Sequence, residues 1–199
     1  MNDKNIVLGI TGASGAVYAV RLLEILVAAG YNVHLSISPS GRDVIRQELD
    51  RTIDLESFQA SDLSEIKGAS GSIHYHHYQD FFAPIASGSF LTRGMVICPC
   101  SGATLSSVAS AASTNLIHRA AEVHLKERRR LVLVPRETPL SLPQLDNMRR
   151  AAEAGAVVLP ASPGWYHGVE TLGDLVDFVV ARICDQLDVE NTLMRRWGS

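Results

Sequence analysis

Asn5-Ile6-Val7-Leu8-Gly9-Ile10-Thr11-Gly12-Ala13-Ser14-Gly15-Ala16 decides the architecture of this chain. The apolar run at 6–10 suits a strand buried on both faces. A glycine-rich turn follows at once. Tyr18, Leu22, Ile25, Leu26 and Ala29 then recur at helical spacing, and Gly30 stands where a C-terminal cap belongs. Strand, tight turn and helix make the first half of a βαβ unit. The pattern repeats outward. Residues 33–37, 95–98, 131–134 and 156–159 read as strands, and a poorer strand pattern lies at 73–78. Helices are expected through Val44, Ile45 and Leu49, and over about 101–112, 116–128, 142–154 and 172–187. Continuous apolar strands alternating with helices imply an α/β fold with a Rossmann-like, doubly wound parallel sheet. Residues 50–80 carry the weakest pattern. No linker, repeat or low-complexity tract divides residues 1–199, so one domain is expected.

The 199 residues are 46% hydrophobic and 20% charged, and 18 Lys and Arg against 21 Asp and Glu leave a net charge of −3. That balance argues against a protein held to nucleic acid by bulk positive charge. No apolar run approaches the ~18 residues of a membrane helix. Met1-Asn2-Asp3-Lys4-Asn5 lacks a signal-peptide layout. Three cysteines do not make a disulfide framework. A cytoplasmic protein is the expectation.

In a doubly wound sheet, ligands bind beyond the carboxyl ends of the strands. The segments there are 11–15, 38–40, 99–101, 135–138 and 160–167. Gly9, Gly12 and Gly15 open the first helix without the spacing of a dinucleotide fingerprint or a P-loop. The second strand ends in Ser38, where a nicotinamide ribose would need an acidic residue. A mononucleotide phosphate fits this turn, and so does a turn with no ligand. Arg136-Glu137 directly follows an apolar strand; the two either pair structurally or present a carboxyl group for proton transfer. Cys98-Pro99-Cys100 is too tight for a zinc pair. Cys98 reads as a buried small residue and Pro99 as the end of its strand, with Ser101 and Thr104 opening a helix. His74, His76 and His77 have no carboxylate spaced as a metal partner and read as a polar strand or surface loop. Lys126-Glu127-Arg128-Arg129-Arg130 suits a helix C-terminus, and its cations or Arg119 are also suited to a phosphate.

In sequence order these motifs resemble the flavin prenyltransferase family, the UbiX type. The resemblance runs nearly end to end, through residues 11–16, Ala86-Ser87-Gly88-Ser89, 95–101, 125–129, 131–139, Gly155-Ala156-Val157, Tyr166-His167 and Arg196-Trp197. It implies a flavoprotein three-layer sandwich, commonly a dodecamer with sites at subunit junctions. It implies transfer of a dimethylallyl group from dimethylallyl phosphate to N5 and C6 of reduced FMN. The product, prenylated FMN, serves UbiD-type decarboxylases of ubiquinone biosynthesis and aromatic acid breakdown. The family's roles fall on Gly12, Ala13, Ser14, Ser38, Ser101, Gly102, Ala103, Thr104 and Arg136 for FMN. They fall on Tyr166 and Arg182 for the prenyl phosphate, with Glu48, Arg119 and Lys126 lining that pocket and Trp197 closing it. Glu137 is matched to proton transfer, with Ser14 beside it. Pro39-Ser40-Gly41 departs from the family's usual Lys-Ala-Ala. No Asp-Asp pair is present, which favours a metal-free reaction on a monophosphate over Mg²⁺-diphosphate chemistry. The alternatives are a flavoprotein cysteine decarboxylase of the same fold and a non-enzymatic flavin carrier.

Overall fold

The computed structural model describes residues 4–64 and 70–198. Met1, Asn2 and Asp3, and part of the weakly patterned 50–80 stretch, lie outside them. In chain order the elements are β1 (Asn5–Ile10), α1 (Ala16–Ala28), β2 (Asn32–Ile37), α2 (Pro39–Leu49), α3 (Ala60–Leu63), β3 (Ser72–Tyr75), β4 (Gly94–Cys100), α4 (Gly102–Ala109), α5 (Leu116–Lys126), β5 (Arg130–Pro135), α6 (Leu142–Glu153), β6 (Val157–Val158) and α7 (Leu172–Gln186). The six strands pair in the order β3-β2-β1-β4-β5-β6, all parallel. The chain builds outward from β1 to one edge, returns to β4, and builds to the other edge. The switch point therefore lies between β1 and β4.

Side chains alternate across each strand, and both faces are apolar. Ile6, Leu8, Ile10, Val96, Cys98, Val132 and Val134 share a core with residues of α1 and α7. Val7, Met95, Ile97, Leu131 and Leu133 share the opposite core with residues of α4, α5 and α6. Gly9 belongs to the second face: a Cβ there would stand 2.8 Å from Cγ2 of Ile117, so the glycine lets α5 lie close to the sheet.

Local chemistry explains most boundaries. α1 ends in a Schellman arrangement, with Gly30 at φ 82 and hydrogen bonds from Gly30 N to Val27 O and from Tyr31 N to Leu26 O. Ser38 caps α2 and Pro39 occupies its first turn, so this helix starts before the apolar spacing from Val44 that suggested it. Pro99 does not end β4. The strand runs on to Cys100 through a cis Cys98–Pro99 bond, with its register to β5 disturbed there.

Candidate active site

Thr11 clips the two switch-point strands together. It is 2% exposed. Its N and Oγ1 donate to Pro99 O at 3.2 and 2.7 Å, and its Oγ1 accepts from Ser101 N at 2.8 Å. The turn after β1 is thereby fixed to the start of α4. The first turn of α2 presses on it from the other side. A Cβ on Gly12 would lie 2.3 Å from Cβ of Ser40, and one on Gly41 would lie 2.6 Å from Ile10 O. The Pro39-Ser40-Gly41 departure thus makes a close backbone approach.

Glu48, near the end of α2, closes the N-terminus of α1. Its carboxylate accepts from Gly15 N at 3.1 and 2.9 Å and from Ala16 N at 2.8 Å. Partial burial works to raise the Glu48 pKa. The Ser14 hydroxyl, the two amides and the charge of Arg136 outweigh it and hold the carboxyl below its usual range. The α1 terminus therefore carries its own anion. Beside it stand the starts of α4 and α2. At α4, the Ser101 hydroxyl accepts from Thr104 N at 3.2 Å and donates to Thr104 Oγ1 at 3.1 Å, while the N–H groups of Gly102 and Ala103 have no partner among the described residues. At α2, Ser38 Oγ accepts from Gly41 N at 3.0 Å. The unused amides, with the capping hydroxyls beside them, suit a phosphate monoester such as that of FMN.

Arg136 and Glu137 do not pair with each other. Arg136 Nε donates to Ser14 O at 3.3 Å. The Glu137 carboxylate turns the other way, accepting from Thr138 N at 3.3 Å and from Gln144 Nε2 at 3.4 Å. Glu137 is exposed and Arg136 half-buried. The rim of the cradle thus presents a separate cation and carboxylate.

A second group of candidates lies on α7 and the C-terminal segment. The Tyr166 ring meets Trp197 edge to face at 5.4 Å and Phe178 at 5.8 Å. Asp185 gathers Arg182 at 2.8 Å and Arg196 at 2.7 Å. A cleft of about 540 Å³ is lined by Tyr166, His167, Gly168, Arg195, Arg196, Trp197 and Gly198. Arg119 and Lys126 form a third group on α5. Arg119 bonds Ala86 O at 3.2 Å and pairs with Glu122 at 3.2 Å; Lys126 pairs with Glu127. Among the described residues, no hydrogen bond or ion pair joins these cations to the switch-point cradle or to Arg182.

The remaining candidates separate by burial. Cys98 is fully buried, and burial pushes its thiol pKa up; Cys100 is pushed up to about 12 in the same way. Neither is placed as a nucleophile. His74 lies on β3 opposite His34 of β2. His34 Nδ1 sits 2.9 Å from His76 Nε2, and its ring stacks on those of His74 and His76. His77 instead lies 3.3 Å from Glu56. Among the described residues, no group of three or more His, Cys, Asp or Glu is arranged to hold a metal ion, and no helix is long and apolar enough to cross a membrane. Sequence reasoning missed Thr11 as the clip, Glu48 as the cap of α1, and Gln144.

The Flavoprotein family model matches residues 1–184. A flavin prenyltransferase UbiX of Halalkalibacterium halodurans is 48% identical over 191 residues, covering 96% of this chain and 92% of its own. The chain belongs to the Flavoprotein family and, within it, to the UbiX-type flavin prenyltransferases. Two solved members share its fold over nearly all of both chains. AnUbiX (PadA1), in complex with FMN and dimethylallyl pyrophosphate, superimposes with a TM-score of 0.87 at 36% identity, covering 99% of this chain and 98% of its own. A dodecameric FMN-dependent UbiX-like decarboxylase from Escherichia coli O157:H7 does so at 0.84 and 37%, covering 98% and 100%. The sheet edge described above is therefore that of a UbiX-type flavoprotein.

Proposed function

We propose that this chain is a flavin prenyltransferase that joins the dimethylallyl group of dimethylallyl phosphate to reduced FMN, acting as one flavoprotein unit over residues 1–199. The observation that carries the reading is that Arg136 and Glu137 stand apart from each other, a separate cation and carboxylate on the rim of a cradle of unused helix-start amides. A carrier needs the cradle but has no use for a separately held carboxylate.

The amides of Gly102 and Ala103, with the hydroxyls of Ser38, Ser101 and Thr104, are placed to hold the FMN phosphate. Gly12, Ala13 and Ser14 form the floor toward the flavin, and Arg136 adds charge from the β5 side. Reduced FMN supplies the nucleophilic N5 and C6 positions when bound. As the allylic C–O bond breaks, negative charge gathers on the departing phosphate. Arg182, with Arg119 and Lys126 from neighbouring copies, stabilises it, while Tyr166 and Trp197 offer ring faces to the allylic cation. Glu48 keeps Ser14 and Gly15 in place beside the reacting groups. Ring closure adds a proton to the allyl chain and removes one from C6, so one carboxyl group can give the proton and take it back. Glu137 is that group, with Ser14 beside the reacting edge.

Arg119 and Lys126 stand apart from Arg182 within one chain, and Phe82, Trp197, Leu172 and Leu142 are 99%, 84%, 81% and 78% exposed. Both features support a closed homo-oligomer, a dodecamer as in the E. coli relative, in which copies complete each other's prenyl-phosphate pocket. The product would pass to a UbiD-type decarboxylase in the cytoplasm. Phosphate release from dimethylallyl phosphate tests the reading. Release that requires reduced FMN is expected; binding of FMN without any release would leave only a carrier.

A further inference from the structure

Glu137 stands on an extended segment after β5, and its carboxylate has donors on both oxygens. One is its neighbour's amide, Thr138 N. The other comes from a different element. Gln144, in the first turn of α6, donates through Nε2 to Glu137 Oε2 at 3.4 Å.

The direction of that amide is fixed from behind. Ser141 and Gln144 form a capping box at the start of α6. Gln144 Oε1 accepts from Ser141 N at 2.9 Å and from Ser141 Oγ at 3.0 Å, and Ser141 Oγ accepts from Gln144 N at 3.4 Å. A backbone N–H can only donate, so the oxygen end of the Gln144 amide must face Ser141. The NH₂ end is then forced toward Glu137. The same Nε2 lies over the flavin cradle: a Cβ on Gly102 would stand 3.1 Å from it. One side chain thus joins the helix cap of α6 to the carboxylate on the rim, beside the first residue of α4.

Helix capping by itself does not require glutamine. Glutamate serves that position of the box equally well. It would, however, set a second carboxylate against Glu137, and like charges sharing a site push a carboxyl pKa up. The choice of an amide is explained by what it faces.

We propose that Gln144 is a positioning residue for the prenyl transfer, holding the Glu137 carboxylate at the rim of the flavin cradle through an amide whose orientation is locked by Ser141. The proposal rests on the reading of Glu137 as the proton carrier. Gln144→Glu is the informative variant because it preserves the capping box. It should leave the melting temperature and the KM for dimethylallyl phosphate unchanged and move the pH profile of single-turnover ring closure upward by about one pH unit, the effect of a like charge beside Glu137. Ser141→Ala removes the hydroxyl but keeps the backbone N–H that orients the amide. It should lower the melting temperature and leave the pH profile in place. Glu137→Gln is run alongside. If Glu137→Gln slows ring closure and the profile of Gln144→Glu superimposes on wild type, the role of Gln144 is overturned alone. If Glu137→Gln closes the ring at the wild-type rate, the assignment of Glu137 falls and the role of Gln144 falls with it.

Discussion

The cradle at the β1–β4 switch point and the aromatic-cationic region on α7 are built in opposite ways. The cradle is made of backbone and short side chains locked by buried hydrogen bonds, with Thr11 tying β1 to α4. The α7 region is made of long, exposed side chains, and its cations rest on carboxylates of their own segment, Arg182 and Arg196 on Asp185. Fixed amides lose no side-chain entropy when a ligand arrives. Exposed arginines and tryptophans lose it unless something else orders them. Within one chain, then, the half proposed for the flavin is preorganised, while the half proposed for the prenyl phosphate is left for a ligand or a neighbouring copy to order.

That contrast can be broken most sharply at Glu137, on the rim of the cradle. Glu137→Gln keeps the shape and should slow ring closure by about 10²–10⁴-fold, the range of a lost acid–base group, with FMN affinity nearly unchanged. Rapid-quench analysis of the flavin checks this. Arg136→Ala should act on the flavin half, weakening FMN by roughly 1.5–3 kcal/mol if a charge-assisted hydrogen bond is lost, as read by fluorescence titration. Gly41→Ala probes preorganisation itself. Its methyl group would meet Ile10 O, which is backbone and cannot swing away, so destabilisation by about 1–3 kcal/mol is expected, with looser FMN binding. Arg182→Ala should raise the KM for dimethylallyl phosphate by roughly tenfold, since removing a ground-state phosphate contact acts on KM, and leave FMN titration as in wild type.

The smallest effect lies away from both halves. Burial, then the nearby His76 and His74, lower the His34 pKa to about 4, against 6.5 unperturbed. The folded state therefore keeps His34 neutral while the unfolded chain takes up a proton. Its stabilising contribution is complete above pH 6.5 and is lost progressively as pH falls from 6.5 toward 4. With partial screening by solvent, about 1–2 kcal/mol is at stake. Urea midpoints across that pH window should fall in wild type and fall less in His34→Leu. Equal slopes would remove the histidine stack as the cause.

The parallel sheet and its helices were legible because β1, β4 and β5 are unbroken apolar runs and each is followed by helical spacing. The convergence of the segments carrying the candidates proposed for the flavin was legible for the same reason, since segments after strand ends meet by topology alone. Other features were not. Glu48 reaches Gly15 from a different helix, and no local pattern marks it as the cap of α1. The Ser141-x-x-Gln144 box is readable in sequence, but its aim at Glu137 depends on how the chain turns between β5 and α6. Pro99 reads as the end of β4 because proline lacks a ladder donor; its carbonyl, however, is bonded by Thr11 and the strand continues to Cys100. His34 became part of a histidine stack only through the β2–β3 register.

The most direct test of the account is the identity of the flavin after anaerobic incubation of the protein with reduced FMN and dimethylallyl phosphate. A new flavin is expected, its mass grown by one dimethylallyl unit and its absorbance different from that of FMN, formed in step with free phosphate. Recovery of unchanged FMN, with the dimethylallyl phosphate intact, would contradict it.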